Sequence, residues 1–263
     1  QIFLSLLFLK YLLLLIKKQA KINIIFFSIV SGLLILTRGE FVLIYAIIIM
    51  FIMLNKKVNK INILRIILIT SVIISPYVIR NYVHFSEIII TKSLGYNLWK
   101  GNNEYSTVQG NGDYELNELN ELKDRVKSIE KDKYYEITRD NIFLSEAKKN
   151  ISQDPARYFS LFVKKIFSFY FVDTNSNYPN YYNFFHFIPI LLVSILSFPG
   201  LYTFYKKKNN LNNYLLLYLI LNLIIFSIFF ILPRYKLVIL PLQIILASHF
   251  IKYLINKFKI KVK

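Results

Sequence analysis

The chain has 263 residues, of which 55% are hydrophobic, and its mean hydropathy is +0.44. A soluble domain of this length is normally less apolar, so the composition indicates a protein that needs lipid. The absence of cysteine excludes disulfides, thiol catalysis and cysteine-ligated metals, and the three histidines are too far apart in sequence to predict a metal site.

The formal net charge of +18 is distributed unevenly along the chain. Residues 81–183 hold 13 basic and 14 acidic side chains, and Glu40 is the only carboxylate elsewhere. The excess positive charge therefore belongs to the apolar part of the sequence, where short basic loops orient membrane spans. This distribution argues against nucleic acid as a partner. The polar segment that would face water has almost balanced charge, so it lacks the positive surface that nucleic acid requires.

Seven apolar stretches are candidate membrane helices, whereas a span usually needs about 20 residues and at least about 17. The first stretch opens the chain at Gln1 without a signal-peptide pattern, so we expect it to be truncated. The second and third are short, and residues 22–54 either span twice or form a re-entrant hairpin. The stretches are residues 2–16, 22–36, 41–54, 61–79, 184–205, 213–232 and 237–255.

Four basic groups set the expected orientation of these stretches. If every stretch spans, all four groups fall on one side, which the positive-inside rule makes cytoplasmic. The outer side then receives residues 37–40, 80–183 and 233–236. The groups are Lys17, Lys18 and Lys21; Lys56, Lys57, Lys60 and Arg65; Lys206 to Lys208; and Lys252, Lys257, Lys259, Lys261 and Lys263.

The sequence therefore predicts a mainly α-helical, polytopic protein of the cytoplasmic membrane. Transmembrane helices are expected in residues 1–80, and an extracytoplasmic domain in residues 81–183. Residues 184–263 are expected to hold the C-terminal transmembrane helices and a basic cytoplasmic tail.

The expected outer domain is mixed but mostly helical. Residues 87–92 have the pattern of a short strand, and a turn region rich in Gly and Asn follows to Gly112. Helices are predicted at about 115–129, and at 134–151. The apolar face of the first is Leu116, Leu119, Leu122, Val126 and Ile129.

A further helix is expected to begin at Asp154-Pro155, with a capping side chain and then proline at the first helical position. It runs to about Tyr170 and interleaves Phe and Tyr with Arg157, Lys164 and Lys165. This pattern suits a helix in the membrane interface with its cations toward the head groups. It equally suits an amphipathic helix that covers the domain core.

Two turns on the expected outer side carry arginine. Arg38 and Glu40 separate two apolar stretches, where they could contact phosphate or sugar or simply pair in solvent. Arg234 precedes Tyr235, and its planar donors suit phosphate, although both side chains could instead reach for the interface.

Residues 95–103, Gly-Tyr-Asn-Leu-Trp-Lys-Gly-Asn-Asn, contain the only tryptophan of the chain. Asn97, Asn102 and Asn103 could bind sugar hydroxyls while Trp99 stacks on the ring. The segment could equally be a tight structural turn in which Trp99 anchors the domain to the membrane.

Taken in order, these segments resemble the C-terminal portion of the bacterial family 39-like membrane glycosyltransferases. Those enzymes are related to protein O-mannosyltransferases and to lipid A aminoarabinose transferases, and they share the GT-C fold. The segments that carry the resemblance are Leu36-Thr37-Arg38-Gly39-Glu40, Pro76 to Tyr82 with Arg80-Asn81, residues 95–103, Asp154-Pro155 with Lys165, and Pro233-Arg234-Tyr235 with Pro241.

The resemblance implies an enzyme that transfers a sugar from a polyprenyl-phosphate carrier to a glycan, lipid or protein acceptor outside the membrane. It implies an enzyme that needs no nucleotide, and we expect neither a cofactor nor a metal. The family's catalytic aspartate lies in the first outer loop, and no residue here matches it, so we expect it upstream of this chain. The candidate contacts for carrier or sugar are Arg38, Glu40, Arg80, Asn81, Asn97, Trp99, Asn102, Asn103, Lys165, Arg234 and Tyr235.

Two other functions stay open at this point, a surface-polysaccharide polymerase or ligase and a non-catalytic membrane assembly protein. A transporter is less well supported, because transporters carry polar or ionisable residues near the bilayer centre. The middle positions of the apolar stretches are almost wholly Ile, Leu, Phe and Val.

Overall fold

A computed structural model describes residues 1–115, 119–173, 175–176, 183–207 and 209–258. This part of the chain is mainly α-helical and contains no β-strand. A 3-10 helix, Pro233–Val238, precedes the last α-helix. The α-helices are α1 (Ile2–Lys17), α2 (Lys21–Thr37), α3 (Phe41–Leu54), α4 (Lys60–Phe85), α5 (Leu94–Gly101), α6 (Asn120–Lys127), α7 (Tyr135–Gln153), α8 (Pro155–Tyr170), α9 (Phe184–Lys206), α10 (Asn210–Ser227) and α11 (Leu240–Lys257).

Each of the seven apolar stretches forms a helix over most of its length. Helices α4 and α9, of 26 and 23 residues, are long and apolar enough to cross a membrane, whereas α2, α3 and α10 are apolar but shorter. Both long helices expose large side chains, such as Val72 at 66% and Phe198 at 57%. Such apolar surface is unfavourable in water, so these two helices support association with a membrane.

One apolar stretch, residues 213–232, was predicted too long. Helix α10 ends at Ser227, and residues 228–232 are irregular. Side chains donate hydrogen bonds to the carbonyl groups that follow the helix. The Asn102 amide donates to the carbonyl of Ile228 at 2.8 Å, and the Lys165 amine donates to that of Phe229. Side-chain donors from elsewhere in the chain thus replace the next helical turn.

The chain divides into two compact units that do not follow the order of the sequence. Unit 1 comprises Gln1–Ile74, Phe169–Ile224 and Pro233–Lys263, and unit 2 comprises Ser75–Ser168 and Ile225–Leu232. The predicted division at residues 80 and 183 refers to the membrane surface, and it stays a prediction.

The interior of unit 1 is aromatic where α1 meets its neighbours. The Phe8 ring lies 5.0 Å from the ring of Phe27 on α2, 5.9 Å from that of Phe41 on α3 and 5.8 Å from that of Tyr218 on α10. All four side chains are buried. Aromatic pairs at such distances contribute roughly 0.5–1.5 kcal/mol each beyond the area they bury.

In unit 2, helices α5, α6 and α7 enclose a small core. Trp99 of α5 and Phe143 of α7 are fully buried, and their rings lie 4.8 Å apart. Leu122 and Val126 of α6 complete this core. The apolar face predicted for α6 is therefore correct at these positions, although the helix is shorter than expected, and Leu116 lies outside the described residues.

The remaining predictions for this region had mixed outcomes. The helix expected at 134–151 is confirmed as α7, and the cap at Asp154 is confirmed because its carboxylate accepts the N–H of Arg157 at 3.0 Å. The strand at 87–92 is wrong. This segment has no partner strand among the described residues, and the Asn81 amide instead donates to the carbonyl groups of Ile89 and Ile90, which fixes an irregular path.

Helix α8 combines features of both expectations. Tyr158 and Leu161 are buried, as in a helix that covers a core, whereas Phe159 and Phe167 are exposed by 68% and 59%. Lys165 contradicts the expectation that the cations point toward head groups, because it is completely buried. Of the predicted basic groups, Lys208, Lys259, Lys261 and Lys263 lie outside the described residues.

Candidate functional site

The two arginine-bearing turns meet within unit 1. Arg38 is the residue after α2, and its guanidinium lies 4.3 Å from the centre of the Tyr235 ring in the 3-10 helix. Its Nε also lies 3.6 Å from a carboxylate oxygen of Glu40. Arg234 is exposed, with its guanidinium 5.8 Å from the same Tyr235 ring. We call Arg38, Glu40, Arg234 and Tyr235 the arginine cluster.

The arginine cluster has the chemistry of an anion site. Glu40 and the face of Tyr235 orient the Arg38 guanidinium, since an arginine over an aromatic ring is stabilised by roughly 0.5–2 kcal/mol. Fixed planar donors are suited to the oxygens of a phosphate. With two arginines and one carboxylate, the cluster has a formal excess of positive charge.

Lys236 adjoins this cluster but is not part of it, because its side chain is buried. Its amine donates to the carbonyl oxygens of Tyr170, at 2.6 Å, and Phe171. The Gln243 amide donates to the same Tyr170 carbonyl at 2.7 Å. The last carbonyl groups of a helix have no partner within it, so Lys236 and Gln243 satisfy the C-terminus of α8. Burial lowers the pKa of Lys236 to about 7.

Lys165 has a similar role in unit 2. Its amine donates to the carbonyl oxygen of Gly101 at 2.8 Å, to that of Phe229 at 2.5 Å and to the side-chain oxygen of Asn102 at 3.2 Å. Burial lowers the pKa of Lys165 to about 7. The amine thereby joins the ends of α5 and α10, and it is not accessible for direct contact with a carrier phosphate.

The motif at residues 95–103 serves largely to bring backbone segments together. A Cβ at Gly101 would lie 1.9 Å from the carbonyl oxygen of Phe229, so only glycine fits there. The Asn102 amide donates to the carbonyl of Leu98 as well as to that of Ile228, both at 2.8 Å. These contacts account for glycine and asparagine at this junction without a ligand.

Trp99 and Asn103, two candidates for sugar binding, are also committed to the protein. The Trp99 side chain is completely buried, so its face is not open for stacking on a sugar. The Asn103 amide donates to the carbonyl groups of Trp99 and Asn111, at 3.2 and 2.7 Å. Trp99 lies inside a helix rather than a tight turn, and it fills the core of unit 2 itself. Asn97, on the same helix, is half-buried.

The remaining candidates, Arg80 and Asn81, lie near the end of α4 and belong to unit 2. Arg80 is exposed, and its guanidinium lies 5.9 Å from the ring centre of Tyr77 and 3.3 Å from the side-chain oxygen of Asn81. Asn81 is buried, and its amide donates to the carbonyl groups of Ile89 and Ile90 in the segment after α4. Arg80 is thus available to a ligand, whereas Asn81 is not.

Comparison of the chain with known proteins found no matching family model, no matching curated protein and no matching solved structure. Fold and site are therefore assigned from the chain's own residues. Among the described residues there is also no group of three or more side chains that could hold a metal ion.

Asp140 is the structural residue that sequence reasoning missed. Its carboxylate accepts the N–H groups of Gly95, at 3.0 Å, and Tyr96, at 2.8 Å, which begin α5. It lies in the middle of α7, where an acidic residue normally faces solvent, so the sequence offered no signal of this role. The sequence also gave no signal that Lys236 is buried, because it follows Arg234 and Tyr235 in a turn that was expected to be exposed.

Proposed function

We propose that this chain binds the lipid carrier of a multi-pass membrane glycosyltransferase. It would take a sugar from a polyprenyl-phosphate carrier and transfer it to an acceptor on the outer side of the cytoplasmic membrane. The observation that carries the proposal is the arginine cluster, in which two turns almost 200 residues apart bring arginines around one tyrosine ring. Both turns were expected on the outer face from the distribution of charge.

The proposed reaction explains the need for such a cluster. The bond between the anomeric carbon and the phosphate oxygen breaks, and the acceptor hydroxyl oxygen forms a new bond to that carbon while its proton passes to a base. The carrier departs as polyprenyl phosphate. Arginines held in place near the departing phosphate stabilise its growing negative charge, and they do so without having to reorganise during the reaction.

The two arginines are suited to different parts of this task. Arg38 is held between Glu40 and Tyr235, so its position is fixed before the carrier binds. Arg234 is exposed and can move toward a head group. The apolar, outward-facing surfaces of α4 and α9 would lie in the lipid that also holds the polyprenyl chain.

Binding of undecaprenyl phosphate to the full-length protein in nanodiscs tests this proposal without knowledge of the sugar. We expect Arg38→Ala and Arg234→Ala each to weaken binding roughly 10- to 100-fold, since hydrogen bonds between charged groups contribute roughly 1.5–3 kcal/mol. Arg65→Ala, at an exposed arginine on the expected cytoplasmic side, is the matched control and should bind like the wild type.

Undecaprenol, which lacks the phosphate, separates charge recognition from partitioning into lipid. The variants should bind it as well as the wild type does. Equal affinity of wild type and both arginine variants for undecaprenyl phosphate would refute the proposal and leave the arginines as interface anchors. If Arg38→Ala fails to insert into the membrane, Arg38→Lys replaces it in the binding measurement.

A further inference from the structure

Unit 2 contains a polar cavity that the proposed function does not use. Its volume is about 230 Å³, and helices α5, α6 and α7 line it. This is somewhat below the range of roughly 300–1,000 Å³ typical of pockets for drug-sized ligands, so the cavity suits a molecule about the size of one sugar ring. Its chemically distinctive lining residues are Trp99, Glu104, Glu121, Glu146, Lys149 and Gln153.

The charge of the lining indicates which ligands the cavity excludes. Three carboxylates face it with a single ammonium group, that of Lys149. Glu146 is already paired, with Arg125 at 3.2 Å and with Lys149 at 3.5 Å. Glu104 and Glu121 form no ion pair within the described part of the chain. The cavity therefore repels phosphates and carboxylates and attracts donors, particularly cationic ones.

The rest of the lining is aromatic as well as polar. Trp99 is completely buried beside the cavity, and its indole N–H has no hydrogen-bond partner among the described residues. This N–H has almost no accessible surface, so it is enclosed by the protein and does not itself bind an occupant of the cavity. The exposed amide of Gln153 adds both a donor and an acceptor at the rim.

We propose that this cavity binds a hydroxyl-rich group without negative charge, such as a neutral or amino sugar. Carboxylates and amides accept hydrogen bonds from hydroxyl groups, and a protonated amine would gain further from Glu104 and Glu121. The cavity thus favours neutral or cationic ligands, whereas the arginine cluster favours anionic ones. The proposal goes beyond sugar transfer and does not depend on it, because binding is measured without a carrier.

Titration of the full-length protein in nanodiscs with three probes tests this site, with the fluorescence of Trp99 as the signal. We expect glucosamine, at a pH where its amine is protonated, to bind roughly 5-fold more tightly than glucose, in keeping with a partly exposed charge pair. Glucose 6-phosphate should bind more weakly than glucose or not at all.

Charge-removing variants make the test specific to the cavity. Glu104→Gln and Glu121→Gln keep the shape and should bring the affinity ratio of glucosamine to glucose toward one. Glu130→Gln, at an exposed carboxylate outside the cavity, should leave the ratio unchanged. A ratio between two ligands on the same protein is insensitive to a modest loss of stability.

Three results would overturn the proposal. They are saturable binding of none of the probes, a preference for glucose 6-phosphate, and a glucosamine preference that both glutamine variants retain in full. Equal affinity of wild type and arginine variants for undecaprenyl phosphate, together with the expected glucosamine preference, would refute the proposed function and leave this site standing. The two proposals can therefore fail separately.

Discussion

Replacement of Asp140 by alanine tests how α5 is held in unit 2. The Asp140 side chain is only 4% exposed, and its carboxylate accepts the N–H groups of Gly95 and Tyr96 at 3.0 and 2.8 Å. These N–H groups have no partner within α5, because the first turn of a helix lacks preceding carbonyl groups. The negative charge also lies at the positive end of the helix dipole.

The expected loss follows from these two contacts. Asp140→Ala leaves two N–H groups without their acceptor in a site that water does not reach. Hydrogen bonds to charged groups contribute roughly 1.5–3 kcal/mol each, so the free energy of unfolding should fall by roughly 3–6 kcal/mol. For a unit of about 100 residues, this corresponds to a Tm lower by about 15–30 °C.

The tryptophan provides a local assay. Trp99 is the only tryptophan of the chain, and it packs 4.8 Å from Phe143, so its emission reports on the contact between α5 and α7. Thermal unfolding in detergent, followed by this emission, should show the low Tm of Asp140→Ala. Asp140→Asn keeps one acceptor oxygen and should lie between this variant and the wild type.

Asp132→Ala is the matched control. Asp132 also accepts a backbone N–H, that of Tyr134 at 2.8 Å, but it is exposed, so water can replace it. Loss of an exposed cap costs about 1 kcal/mol. If Asp140→Ala unfolds at the same Tm as Asp132→Ala, the buried carboxylate does not hold α5, and the reasoning is refuted.

Two further predictions concern Lys165 and Gly200. The pKa of Lys165 is lowered to about 7, against about 10.4 in the unfolded chain, so the unfolded state binds more protons between these values and stability rises with pH by up to about 1.4 kcal/mol per unit. In urea titrations at several pH values across this window, Lys165→Met should lose this rise and the exposed control Lys164→Met should keep it; equal slopes would contradict the burial argument. A Cβ at Gly200 would lie 2.3 Å from the backbone oxygen of Leu246, whereas at Gly32 the nearest atom, at 2.7 Å, belongs to a side chain. Gly200→Ala should therefore lower the temperature of thermal aggregation in detergent more than Gly32→Ala does, with a loss of about 1–3 kcal/mol, and the reverse order would refute the close contact of α9 with α11.

Local patterns gave reliable predictions wherever neighbouring residues alone decide the outcome. The apolar stretches are largely helical, α7 lies where a helix was expected, and Asp154 caps α8 as its sequence indicates. The strand predicted at 87–92 is wrong because a strand requires a partner strand, and a short apolar run does not supply one. The membrane orientation and the glycosyltransferase activity stay predictions, and the binding experiments above address the activity.

The candidate site shows the same division at the level of single residues. Arginine before tyrosine in a turn after an apolar run could be recognised as an interface feature, and so could Arg38. The contact between Arg38 and Tyr235 could not be predicted, because the two turns belong to distant parts of the chain. The sequence left Trp99 open between a sugar contact and the anchor of a structural turn, whereas the fold places it in the core of unit 2. The amides of Asn102 and Asn103 donate to backbone carbonyl groups instead of a ligand.

The sequence by itself determined that this protein is helical and apolar, and that its charge is segregated, because composition and periodicity act over short distances. The tertiary structure decided which polar groups are buried. Lys165 and Lys236 resemble the exposed lysines around them in sequence, but the ends of α5 and α8 leave carbonyl groups that need donors. Only the packing of distant segments could bring those donors and acceptors together, and that packing also distinguishes an accessible Arg234 from an enclosed Lys165.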